Sequence, residues 1–246
     1  MKLALVTGGH RRLGGAISAR LALDGWALAI HGAHDAEPDP SLADTLMNTG
    51  VAWHGFIADL ADEDAVAALL PSIAAHFGVM PGLIVNNAAR FDQDDAATTT
   101  ARSIAAHHAV NVAAPVALAL ALHQSGGEGS VIQIVDQRIR NPVPDQLSYS
   151  LSKAMLASTT RTLALAFAPR IRVNAVAPGL TLPTADYDAD QMVRLAASMP
   201  LAHLPTPDDI AEAVVWLANA TSVTGQTIFV DGGANLKSFD RDFVQL

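Results

Sequence analysis

The sequence predicts an α/β protein built on a parallel sheet with helices on both faces, and three observations predict it. Short, almost wholly apolar runs recur along the chain, as strands buried on both faces require. Longer stretches with apolar residues at helical spacing alternate with these runs, the order expected when crossover helices join parallel strands. Half of the 246 residues are apolar and only 16% are charged, so a large core is easily filled.

The first run, Leu3-Ala4-Leu5-Val6, stops at Thr7-Gly8-Gly9 and reads as a buried strand rather than a leader peptide. Further strands are expected at 26–31, 53–57, 83–86, 131–135, 172–175 and 227–230, each bounded by Gly, Asn or Asp. Helices are expected at 14–24, 41–47, 63–76, 101–124, 146–167 and 208–219. This order fits a doubly wound dinucleotide-binding sheet of seven parallel strands, order 3-2-1-4-5-6-7, in one domain over 1–246. The region 183–205, rich in Asp, Met and Ala, is the one long insertion, either a surface helix or a lid over the substrate.

Composition excludes several function classes. The net charge of −9, with no basic block, argues against a nucleic-acid surface. Cysteine is absent, which removes disulfides, thiol nucleophiles and cysteine metal sites. No carboxylate–histidine spacing marks a metal site, so no metal is expected. No run approaches the ~20 apolar residues of a membrane helix, and the expectation is a cytoplasmic protein that binds a small molecule.

Chemistry enters at two places. The loop Thr7-Gly8-Gly9-His10-Arg11-Arg12-Leu13-Gly14-Gly15 joins the first strand to the first helix. Glycines let a backbone approach a pyrophosphate, and a helix N-terminus supplies aligned N–H groups. Tyr149 and Lys153, four apart in a helical stretch, project from one face. A nearby ammonium lowers a phenol's pKa, so the pair is expected to exchange a proton near neutrality. Alone, such a pair also occurs on solvated helix faces. Asp136, thirteen residues before Tyr149 and just past an apolar run, can present a carboxyl group beside the phenol. Asn111 stands four residues before Pro115, whose missing N–H leaves the Asn111 carbonyl without its helical partner. A plain kink or an internal acceptor for a water near Lys153 both follow from that.

The glycine loop resembles the T-G-x-x-x-G-x-G loop of the short-chain dehydrogenase/reductase family, with Gly8 and Gly14 kept and Arg12 in place of the middle glycine. The resemblance runs through almost the entire chain. It implies that Asp59 and Leu60 contact adenine, that Asn86 and Ala88 lie along the cofactor, and that Pro178, Gly179 and Thr181 sit beside the nicotinamide. It implies a catalytic set of Asn111, Asp136, Tyr149 and Lys153, with Asp136 where the family usually has serine. Lys153 would also hold the nicotinamide ribose, and Asn111 would connect a proton relay to solvent. The second strand ends His31-Gly32-Ala33 without the acid that binds the ribose of NAD, while Arg11 and Arg12 suit a 2′-phosphate. NADP(H) is therefore expected over NAD(H), the alternative being two solvated loop arginines.

Three departures coincide: Arg12 in the loop, Asp136 for serine, and Phe91 just past Asn86-Asn87-Ala88-Ala89-Arg90. Together they resemble the pteridine reductase and dihydromonapterin reductase branch, in which that phenylalanine stacks a pterin on the nicotinamide. His31 is similar to that branch's second-strand end. The implied substrate site is then Phe91, Asp136 and Tyr149, and the implied reaction is hydride transfer to an unsaturated carbon beside nitrogen with Tyr149 giving the proton. Phe91 packed on the insertion is the plainer alternative. A 3-oxoacyl-type ketone reductase and a silent cofactor-binding sensor are the rival functions. The family implies a homo-oligomer, tetramer or dimer; the tail 237–246, with Phe239 and Phe243, is a candidate for a subunit interface.

Overall fold

A computed structural model describes residues 1–182 and 187–246. The strands are β1 (Leu3–Val6), β2 (Ala27–Gly32), β3 (Trp53–Ile57), β4 (Leu83–Asn86), β5 (Gly129–Ile134), β6 (Ile171–Pro178) and β7 (Thr227–Val230). They form one seven-stranded sheet in the order β3-β2-β1-β4-β5-β6-β7, with every pairing parallel. The helices are α1 (Arg12–Leu23), α2 (Pro40–Thr49), α3 (Glu63–Phe77), α4 (Ala101–His108), α5 (Ala114–Gln124), α6 (Leu147–Phe167), α7 (Ala189–Ser198) and α8 (Pro207–Asn219).

Alternation along β1 explains the two layers. Leu3 and Leu5 join Ile73, Leu118, Leu122 and Phe167 on one face, beneath α3, α5 and α6. Ala4 and Val6 join Ile17, Leu21, Leu42 and Val214 on the other, beneath α1, α2 and α8. Successive strand side chains point to opposite faces, so a strand apolar at every position needs both layers. Each fully buried Leu or Ile contributes ~1.5–3 kcal/mol of transfer free energy.

Two expectations are corrected here. The stretch 101–124 is not one regular helix: a π-helical turn, Ala109–Ala113, separates α4 from α5. Ala114 N–H returns five residues to the Ala109 carbonyl, and Pro115 follows without an N–H to donate. By length and composition Ala101–Gln124 is apolar enough to cross a membrane, contrary to the sequence reading, yet Ala114, Leu118, Ala119 and Leu122 pack into the core. The insertion 183–205 contains α7, whose Leu195 packs with Met199, Ala234 and Phe243. Pro183, Thr184, Ala185 and Asp186 lie outside the described residues. The tail folds back onto its own chain: Phe243 is buried in that cluster, and the Gln191 amide donates to its carbonyl at 3.0 Å.

Candidate active site

The β1–β4 junction is where strand order reverses, and the loops at the carboxyl ends of β1, β4, β5 and β6 open there into one cavity of about 860 Å³. That volume lies within the ~300–1,000 Å³ of small-molecule and cofactor sites.

Backbone builds one end of the cavity. A Cβ on Gly14 would collide with the Gly8 carbonyl and lie 2.6 Å from the Asn87 amide, so only glycine lets loop, helix and β4 meet. Asn87 fastens them, donating from Nδ2 to the carbonyls of Thr7 (2.9 Å) and Gly8 (3.1 Å). Arg12 adopts φ +53°, a left-handed conformation that favours glycine, and this costs ~1–2 kcal/mol for a residue with a Cβ. Both Arg11 and Arg12 are exposed at the cavity rim beside His34. His31, 1% exposed, accepts from Gly8 N–H at Nδ1 (3.2 Å) and meets the Ala58 carbonyl at Nε2 (2.9 Å). Such bonding fits the neutral ring with its proton on Nε2. Burial lowers its pKa, with the Ala58 bond opposing and His10 adding to the fall. Leu13, Asp59, Leu60, Ala88, Pro178, Gly179 and Thr181 line the same cavity.

Asn86 does not. It is 2% exposed and turns beneath the sheet, donating to Gln133 Oε1 (3.0 Å) and the Pro115 carbonyl (3.4 Å). The adjacent Asn87 faces the cavity instead, because neighbouring residues leaving a strand point opposite ways. His10 was overlooked: it is 8% exposed, lines the cavity, and its Nδ1 has no hydrogen-bond partner among the described residues.

Side chains build the other end. The Tyr149 hydroxyl donates to Asp136 Oδ2 at 3.0 Å, and Phe91 meets the Tyr149 ring edge-on at 4.7 Å. Lys153, one turn along α6 and 3% exposed, donates to the Ile134 carbonyl at 2.7 Å, with its Nζ 5.6 Å from the Tyr149 ring centroid. The phenol's pKa runs against expectation. Burial, then the negative charge of Asp136, push it well above 10, and Arg138 opposes them. Lys153 was expected to lower it, but its ammonium points to a carbonyl and is itself brought down to about 8 by burial, against the pull of Asp136. Asn111, fully buried, does not line the cavity. Its Oδ1 accepts from Arg90 N–H (2.7 Å) and its Nδ2 donates to the Arg90 carbonyl (2.9 Å) and Ser152 Oγ (2.8 Å). It thereby ties the π-turn to α6 and to the strand-end segment that carries Phe91.

A glycine loop at a strand-order reversal, opening toward a half-buried tyrosine and a buried lysine one turn on, defines the class: a nicotinamide-dependent oxidoreductase. The family model described as enoyl-(acyl carrier protein) reductase matches residues 9–235, and the chain belongs to the short-chain dehydrogenase/reductase family. It is 36% identical over 250 residues to an uncharacterised oxidoreductase of Mycobacterium tuberculosis, covering 97% of this chain and 94% of that one. It is 31% identical over 248 residues to the Staphylococcus aureus 3-oxoacyl-[acyl-carrier-protein] reductase FabG, covering 94% and 97%. Among solved structures, the FolM alternative dihydrofolate reductase 1 of Brucella suis in complex with NADP matches with TM-score 0.86 and 36% identity over 96% of each chain. The corresponding Brucella canis protein, also with NADP, matches at 35% identity and TM-score 0.86, covering 96% of this chain and 95% of that one. With two arginines at the rim and no acid within β2, the cofactor of this chain is NADP(H).

Proposed function

We propose that this protein is an NADPH-dependent reductase of a flat, nitrogen-containing heterocycle of the pterin kind. One observation carries the reading: a carboxylate, Asp136, occupies the position beside the Tyr149 hydroxyl where a neutral serine hydroxyl is usual. A carboxylate accepts from ring N–H and amino groups, which a ketone substrate does not offer. Phe91, 43% exposed and edge-on to Tyr149, supplies an aromatic surface at the same spot. Likeness to an alternative dihydrofolate reductase supports the same substrate class.

NADPH, when bound, supplies the hydride. The chain's own residues handle the proton. A phenol held far above its usual pKa is protonated throughout the physiological range, so Tyr149 is a donor. Substrate nitrogen must draw the hydroxyl away from Asp136, whose freed oxygen then accepts from the substrate. Arg138, whose charge opposes the rise in the Tyr149 pKa, supplies positive charge beside the phenolate left behind, and Asn111 holds the Arg90 segment against α6. Exposed Leu151 and Met155, one turn apart on α6, suit pairing with a second copy in a cytosolic homo-oligomer.

Steady-state assays with dihydrobiopterin and dihydrofolate against a panel of ketones test the substrate. Pterin turnover is expected, with Tyr149→Phe lowering kcat ~10²–10⁴-fold at unchanged NADPH affinity. Ketone turnover without pterin turnover would establish the second reading, a 3-oxoacyl-type reductase, which the 31% identity to FabG favours.

A further inference from the structure

Three parts of the chain far apart in sequence meet at one guanidinium. Arg138 lies in the short turn Gln137–Ile139 that follows β5, and Asp136 caps that turn by accepting from the Arg138 N–H at 2.8 Å. The Arg138 side chain is 13% exposed. Its Nη2 pairs with Asp242 Oδ2 at 2.8 Å, its Nη1 donates to Gln146 Oε1 at 2.9 Å, and its Nε lies 3.7 Å from Asp136 Oδ1. The guanidinium carbon is 5.6 Å from the Tyr149 ring centroid.

Each partner is itself held. Asp242 is 3% exposed; its N–H donates to Asp145 at 2.7 Å, and Arg241 grips the same Asp145 through Nε (3.1 Å) and Nη2 (2.7 Å). Asp242, Phe243 and Val244 then line the cavity that contains Asp136 and Tyr149. Gln146, the residue before α6, sits at φ +45°, a conformation unfavourable for a side-chain-bearing residue, and also donates to Gln93 at 2.7 Å.

Desolvating an ion pair is costly, and a buried pair is weak evidence for stabilisation. What a forked guanidinium does provide is direction, because it fixes several acceptors in one plane. Here the Arg138 N–H and Nε both address Asp136 Oδ1, which leaves Oδ2 aimed at the Tyr149 hydroxyl. The bond to Gln146 fixes the first turn of α6, three residues before Tyr149.

We propose that Arg138, locked by Asp242 of the carboxyl-terminal tail, is a positioning residue that holds Asp136 against the Tyr149 hydroxyl and so makes the tail part of the active site. It depends on the reductase chemistry at Tyr149 and not on which substrate is reduced.

The test uses the full chain with whichever substrate the wild type reduces. Asp242→Asn is expected to lower kcat at least ~10-fold and Arg138→Ala ~100-fold, the scale of a misplaced catalytic group, with NADPH affinity unchanged. Asp242→Glu recovers part of the loss. Millimolar guanidinium restores turnover to Arg138→Ala, and urea at the same concentration does not. A readout without substrate accompanies these. The chain has two tyrosines, so a ¹³Cζ tyrosine label gives two resonances, assigned with Tyr187→Phe. The Tyr149 resonance shifts in both variants at neutral pH and returns with guanidinium. Should Arg138→Ala fail to fold, Asp242→Asn and Asp242→Glu carry the test. Wild-type kcat in Asp242→Asn, an unmoved Tyr149 resonance, or a kcat loss matched by weakened NADPH binding would overturn the proposal.

Discussion

The two ends of the cavity are built from different materials. At the cofactor end the contacts are made by backbone: Gly8 against Gly14, Asn87 to the loop carbonyls, and His31 bridging Gly8 N–H and the Ala58 carbonyl. At the substrate end charged side chains do the work: Asp136, Arg138, Asp242 and Lys153 surround a phenol displaced from its ordinary pKa. The first construction is tolerant of charge changes and intolerant of added atoms, and the second is the reverse.

Lys153 gives the largest break with this contrast. Its folded pKa, about 8, lies below the unfolded value of ~10.4, so burial of its charge destabilises the fold fully below pH 8. As pH rises through that window the unfolded chain binds the extra proton, and stability recovers by up to about 3 kcal/mol. Lys153→Met lacks this dependence. Urea melts of the variant and the wild type at pH 7 and pH 10, without cofactor, should show the wild type gaining on the variant by that amount. Equal slopes would mean that the ammonium is solvated.

At the other end, Arg12→Gly sharpens the comparison. Relief of left-handed strain, ~1–2 kcal/mol, is offset by the greater freedom of glycine in the unfolded chain, ~0.5–1 kcal/mol. Stability should therefore rise by no more than about 1.5 kcal/mol, while the loss of a phosphate-pairing guanidinium weakens NADPH binding ~10-fold and leaves NADH unaffected. Fluorescence titration with both cofactors reads this directly. Equal losses for the two would place Arg12 away from the 2′-phosphate.

The smallest effect concerns a titratable side chain bonded to the backbone on both ring nitrogens. His31 is held neutral, its pKa depressed by burial, so the unfolded chain takes up a proton first as pH falls below ~6.5. Stability is fully present above that pH and falls below it by at most ~1.4 kcal/mol per pH unit. His31→Gln keeps an acceptor and a donor without titrating, and should flatten the slope between pH 7 and pH 5 in chemical denaturation. An unchanged slope would assign the acid sensitivity elsewhere.

Much of the fold was legible because its causes are local. Apolar runs named every strand, and Gly8 with Gly14 located the cofactor loop through a steric demand that only glycine meets. The break at Ala109–Ala113 was partly legible, since Pro115 announces a missing donor but not the π-turn that absorbs it. Asn86 was misplaced beside Asn87 because a strand end does not declare which of two like neighbours points outward. Asp136 was visible as a carboxyl group near a phenol, but the phenol's pKa was expected to fall under Lys153, whereas Lys153 turns to Ile134 and burial with Asp136 raises it.

The sequence alone determined the sheet, its two helical layers, the phosphate loop and the meeting of Tyr149, Lys153 and Asp136, since periodicity, glycine sterics and helical spacing act over a few residues. Only the tertiary structure decided what surrounds them. Arg138 and Asp242 are 104 residues apart, and nothing local signals that a tail carboxylate returns to grip a guanidinium 2.8 Å away. Burial and neighbouring charge, which set the state of Tyr149, His31 and Lys153, are properties of the assembled interior, because electrostatic energies depend on distance and desolvation in space rather than on separation along the chain.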